Sequence, residues 1–110
     1  MSDCLFCRIV SGAIPSKKIA EDDATFAFED IAPRAPTHIL IVPKQHVSTM
    51  GDASDETLAG RLLLAAARIA RDRRLESYRL VINNGEGAGQ TVFHLHVHLM
   101  GGRSFSWPPG

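Results

Sequence analysis

Neither sign of charge is in excess along this 110-residue chain, since Lys+Arg and Asp+Glu number 12 each. The global basic field that favours nucleic-acid polymers is therefore missing, although a single nucleotide needs only local donors. No apolar run is long enough to span a membrane, and Met1-Ser2-Asp3 opens no leader pattern. Cysteine is scarce: Cys4 and Cys7 are too close together to staple a fold. The expected setting is the cytoplasm, with no membrane partner. Internal repeats, linkers and low-complexity stretches are lacking too, so residues 1–110 read as one domain with a single core. A hydrophobic content of 45% suits a folded chain.

What the chain does have is His94-Leu95-His96-Val97-His98-Leu99, imidazole alternating with aliphatic through three repeats. On a β-strand, alternate side chains share a face, so the histidines line one side and the aliphatics the other. Histidine titrates near neutrality, so a row of three is chemically loaded. Spread along a strand, the rings suit a bound phosphate chain better than one metal ion; a solvated face that merely tolerates histidine is the plainer alternative. Just before the row, Gly85-Glu86-Gly87-Ala88-Gly89-Gln90-Thr91 is a glycine-rich turn. Its backbone N–H groups could converge on an anion, with Gln90 and Thr91 adding side-chain donors. Alone, such a turn is more often a flexible hairpin loop.

The remaining periodicities set the frame. Cys4 to Val10 reads as a short helical turn ended by Ser11-Gly12 and Pro15. Lys18 to Glu21 and Ala24 to Glu29 read as strands about an Asp22-Asp23 turn, and His38 to Val42 as a buried strand stopped by Pro43. One long helix runs from Asp55 to about Arg73, with Ser54 as N-cap, acidic residues in its first turn and arginines in its last. Leu58, Leu62, Ala65, Ala66 and Ile69 form its core stripe; Leu63, Leu64 and Ala67 widen that stripe enough to cover a partner subunit. Tyr78 to Asn83 and Val92 to Met100 are the last two strands. Short helix, three strands, long helix, two strands with tight turns give an α+β sandwich of a mostly antiparallel five-stranded sheet and a helix.

Cys4-x-x-Cys7 is half of a tetrahedral zinc site, or two buried thiols, or a redox pair that lacks a thioredoxin-like context. Asp30, after the second strand, is either a carboxylate for hydroxyl donors or an Asx turn. Phe6, Phe28 and Ile31, taken singly, are core.

His94-Leu95-His96-Val97-His98-Leu99-Met100 resembles the signature of the histidine triad family. Asp30-Ile31-Ala32-Pro33, Ala35-Pro36-Thr37-His38, Val42-Pro43-Lys44 and Asn83 are similar to it as well. Gly101-Gly102-Arg103 and Trp107-Pro108-Pro109-Gly110 resemble its nucleotide-binding branch rather than its dinucleoside polyphosphate hydrolases. The resemblance implies a homodimer and a nucleophilic mechanism. His96 would attack the α-phosphorus, His98 would protonate the leaving group and contact phosphate, and His94 and His38 would form the supporting polar shell. Asp30 would bind ribose, and Phe6, Phe28 and Ile31 would wall the base pocket. Asn83, Gly89, Gln90 and Thr91, with His96 and His98, would meet the phosphate. It further implies a structural zinc on Cys4, Cys7, His46 and His94, which would take His94 out of proton transfer. Many members of that branch lack both cysteines.

The expected reaction is hydrolysis of the P–N bond of nucleoside 5′-monophosphoramidates, with purine nucleotide released and no organic cofactor. One alternative is a dinucleoside polyphosphate hydrolase or nucleotidyltransferase of the same superfamily. Another is a non-catalytic module holding nucleotide or a partner protein.

Overall fold

The computed structural model describes residues 3–110; Met1 and Ser2, where the sequence shows no leader pattern, lie outside the described residues. The chain runs α1 (Leu5–Val10), β1 (Lys18–Glu21), β2 (Thr25–Glu29), β3 (Thr37–Pro43), α2 (Glu56–Asp72), β4 (Tyr78–Val81) and β5 (Val97–Gly101), with 3-10 turns at Met50–Asp52 and Glu86–Ala88. It is an α+β fold, as the sequence predicts. The sheet order is β1-β2-β3-β5-β4, and every neighbouring pair is antiparallel. From β3 the chain crosses through α2 to the far edge, lays down β4, and returns to insert β5 beside β3. The last histidine of the row therefore stands in the sheet interior, where neighbours on both sides hold its backbone. No helix among the described residues is long and apolar enough to cross a membrane.

Each face of the sheet has its own core. Ala27, Ile39, Ile41, Leu95, Val97 and Leu99 pack against Leu62, Ala65, Ala66, Ile69 and Ala70 of α2. Phe26, Phe28, Leu40 and Val42 pack on the opposite face against Phe6 and Ile9 of α1. Opposed residues of an antiparallel pair share a face. Leu40 faces His98 across the β3–β5 ladder, and His38 faces Met100, which puts the histidines on the α1 side.

The boundaries of α1, β2 and β3 shift by one residue from the sequence reading, and three further differences bear on the site. The N-cap of α2 is Asp55 rather than Ser54: its carboxylate accepts from the Thr57 and Leu58 amides at 3.0 and 3.2 Å. The last strand begins at Val97, not Val92. Its register with β3 ends at Ile41–Val97, and continuing it would set Leu95 opposite Pro43, which has no N–H to offer. The Leu95 amide turns instead to the Val47 carbonyl at 2.6 Å. β4 stops at Val81, so residues 82–96 form a long connection rather than a tight hairpin.

Candidate functional site

His96 is buried, and its Nδ1 lies 2.7 Å from the backbone oxygen of His94. A carbonyl only accepts, so Nδ1 carries the proton and Nε2 keeps a lone pair. Burial pushes the His96 pKa below the ordinary imidazole value, opposed by that hydrogen bond and by the charge of Asp30. The Phe6 ring stands edge-on to it at 5.0 Å. A neutral imidazole with a fixed proton on one nitrogen and a lone pair on the other is a competent nucleophile.

His98 has the opposite tautomer. The Arg34 amide donates to His38 Nδ1 at 3.0 Å, so the His38 proton sits on Nε2. That Nε2–H donates to His98 Nδ1 at 2.9 Å, with Asp30 Oδ2 a more distant acceptor at 3.4 Å. Neutral His98 therefore carries its proton on Nε2. Burial, assisted by His96 and His38, pushes the His98 pKa down to about 4, and burial also lowers that of His38. The His96 and His98 rings are 5.0 Å apart. One lone pair and one N–H thus stand side by side.

Of the two readings of Asp30, the structure shows the Asx turn: Oδ1 accepts from the Ala32 amide at 2.8 Å, while Oδ2 lies 3.4 Å from His38 Nε2. Asp30, Ile31 and His38 line a cleft of about 640 Å³ with Ser16, Lys17 and Glu29. That is a volume within the range of small-molecule sites. Ile31 is fully exposed there. Phe6 and Phe28 are instead buried against each other, ring centroids 5.4 Å apart, and back the site rather than wall it. Nothing in the sequence marks Ser16-Lys17 as facing a cleft.

Four amides of the expected cradle are held within the glycine turn itself. Gly85 and Gly89 take positive φ (92° and 97°), as the turn requires. Yet the amides of Gly85, Ala88, Gly89 and Gln90 are all engaged within the loop, so they do not converge on an anion. The Gln90 side chain is a brace. It is 2% exposed; its oxygen accepts from Gly85 and its NH₂ donates to the Ser48 and Val92 carbonyls at 2.9 and 3.0 Å. Thr91 stays exposed at the end of the loop, and Asn83 is half-buried near Gly89.

A second cluster gathers at the start of the row. Cys4 caps α1 and Cys7 lies one turn on, which sets both sulfurs at one helix end. His94 Nδ1 is 3.3 Å from Cys4 Sγ, 3.4 Å from Cys7 Sγ and 3.2 Å from His46 Nδ1; Cys7 Sγ is 3.3 Å from His46 Nδ1. Tetrahedral zinc with ordinary bond lengths holds S and N ligand atoms about 3.3–3.8 Å apart. His94 Nε2–H donates to the Pro43 carbonyl at 2.8 Å, so the lone pair of Nδ1 faces the sulfurs. Donor set, spacing and tautomer all fit the metal. Asp30, His38 and His98 also bring ligand atoms within 4.8 Å of one another. There the proton on His38 Nε2 makes the trio a hydrogen-bonded chain, not a ligand set.

The fold agrees with that of known proteins the chain matches. The HIT domain family matches residues 11–105. An uncharacterised HIT-like protein of Synechococcus elongatus is 50% identical, covering 98% of this chain and 97% of that protein. The crystal structure of a HIT family hydrolase from Legionella pneumophila superposes with a TM-score of 0.95 at 46% identity, covering 98% of this chain and all of the other. A histidine triad nucleotide-binding protein from Candida albicans gives 0.84 at 32% identity, covering 96% and 83%. With its fold, its histidine row and these relatives in agreement, the chain belongs to the HIT domain family.

Proposed function

We propose that the protein hydrolyses the P–N bond of purine nucleoside 5′-monophosphoramidates through a nucleotidyl-histidine. The observation that carries this reading is the pair of opposed tautomers: a lone pair on His96 Nε2 beside an N–H on His98 Nε2. His96 Nε2 bonds to the α-phosphorus as the P–N bond breaks; the departing nitrogen accepts a hydrogen bond from His98 Nε2–H and takes its proton from a water molecule, which leaves hydroxide. Positive charge developing on the His96 ring, 5.0 Å away, strengthens the His98 N–H as a donor. The hydroxide attacks phosphorus, and the His96–phosphorus bond breaks. Asp30 would take the ribose hydroxyls, Ile31 and the cleft the base, and Asn83 and Thr91 the phosphate. The chemistry needs no organic cofactor.

Zinc on Cys4, Cys7, His46 and His94 is part of the proposal. It would supply structure, tying α1 to the chain around Pro43 and to the backbone whose carbonyl fixes His96. The cytoplasm, which keeps thiols reduced, is the compartment proposed. A homodimer is proposed from exposed Leu63 and Leu64 on α2, 42% and 66% accessible, and sedimentation reads its presence directly.

The test is a substrate panel: adenosine 5′-phosphoramidate, diadenosine polyphosphate, and AMP as a binding-only ligand. The proposal expects turnover of the first well above the second. Preference for the anhydride would favour the polyphosphate hydrolase alternative, and AMP binding without turnover would favour the non-catalytic module.

A further inference from the structure

We propose that Arg103 is a positioning residue for the base: from the segment after β5 it holds the outer wall of the cleft in its binding shape. The loop 30–36 supplies Asp30, Ile31, Pro33 and Pro36 to the cleft and contains no strand or helix. Its inner side is tied to β3. The Asp30 amide donates to the His38 carbonyl at 3.0 Å, and the Arg34 amide to His38 Nδ1 at 3.0 Å. Its outer side is held from the C-terminal segment. The Arg103 Nε–H donates to the Arg34 carbonyl at 3.0 Å, a charge-assisted bond, and Pro36 backs onto Gly102. A Cβ on Gly102 would come within 2.9 Å of the Pro36 Cβ, and Gly102 has φ 91°, so this approach requires glycine.

Arg103 is itself fixed. Its guanidinium carbon lies 4.1 Å from the centre of the Phe105 ring, and its Nη1 donates to the Ser104 carbonyl at 2.9 Å. The same ring takes the Arg79 guanidinium at 5.1 Å, and Arg79 Nη2 donates to the Ser106 carbonyl at 2.9 Å. Arg79 belongs to β4, so the C-terminal segment is anchored to the sheet edge and the loop to that segment. A loop left free would have to be ordered as a base entered, and that ordering weakens binding. Arg103 orders it beforehand. Pro33 and Pro36 lie to either side of Arg34, whereas Asp30 keeps its own tie to β3. Removing Arg103 therefore costs binding of the base and spares the ribose phosphate.

The test compares AMP with ribose 5-phosphate, which lacks the base, by NMR titration of the full chain; that method reads weak and tight ligands alike. Arg103 is exposed, so the effect is modest. Arg103→Ala is expected to weaken AMP on the order of 5-fold and to leave ribose 5-phosphate within about 2-fold of wild type. Arg103→Lys should recover only part of the loss, since an ammonium can donate to the Arg34 carbonyl but has no flat face for Phe105. Phe105→Leu should weaken AMP in the same direction, and should add nothing when combined with Arg103→Ala. Equal losses on both ligands, or an unchanged AMP affinity, overturn the proposal and leave Arg103 a support of the fold alone.

The kinetic arm rests on the phosphoramidase reading; the binding arm needs only a nucleotide in the cleft. On adenosine 5′-phosphoramidate, Arg103→Ala should raise KM by a similar factor with kcat retained. A fall in kcat at unchanged KM overturns the proposal. A wild type that binds AMP without turnover sinks the phosphoramidase reading, while the comparison of the two ligands still decides this one. A wild type that binds neither ligand overturns both.

Discussion

His98 and His38 make the folded protein sensitive to acid in a direction fixed by their burial. Both have pKa values below the 6.5 of an unperturbed imidazole, His98 at about 4. Between those values the unfolded chain binds more protons than the folded one, so stability falls as pH falls. The contribution is complete above pH 6.5 and is lost through the window from 6.5 to about 4. Urea midpoints measured across that window should decline with acidification, and the decline should shrink when His98 is replaced by Asn. Gln90 offers a second test at the same scale. Gln90→Leu would leave a buried N–H and two carbonyls unpaired, a cost of about 3 kcal/mol in unfolding free energy. Isothermal titration of AMP should show affinity in the still-folded variant close to wild type. A direct phosphate contact would instead cost affinity with little loss of stability.

The long helix was legible because Leu58, Leu62, Ala65, Ala66 and Ile69 recur at its period, and all five are buried. Its start lies one residue beyond the sequence reading because Ser54 and Asp55 both suit a cap, and only the fold decides which side chain meets the free amides. Asp55→Ala should cost about 1 kcal/mol in chemical denaturation, and Ser54→Ala much less. The other end closes with the Leu75 amide on the Ala70 carbonyl and the Arg74 amide on that of Arg71, which forces Arg74 to φ 58°. Arg74→Gly should therefore raise stability by about 0.5–1 kcal/mol, net of the extra freedom glycine has when unfolded. The histidine alternation was equally readable, and Leu95, Val97 and Leu99 do face α2. What sequence could not supply were the backbone partners: the Pro43 and His94 carbonyls, the Arg34 amide, and the loop that engages Gln90. Backbone groups are identical at every residue, so no residue type announces which one a ring will meet.

At the scale of the molecule, two histidine systems share one stretch of chain. His94 belongs with Cys4, Cys7 and His46, whereas His96 and His98 belong with His38 and Asp30. They are linked by the backbone carbonyl of His94, which accepts from His96, and by the Phe6 ring, which stands edge-on to both His94 and His96. If zinc fills the first system, chelation should release one equivalent per chain and lower the Tm, since metal bound only by the folded state stabilises it. Cys7→Ser should lose the metal even where the fold survives. The central claim is nucleophilic attack by His96, and hydrolysis of adenosine 5′-phosphoramidate by wild type and His96→Ala, side by side, tests it most directly. The account predicts AMP release by the wild type and a loss on the order of 10⁴-fold or more in the variant, with AMP binding retained. Turnover that survives in His96→Ala would contradict it.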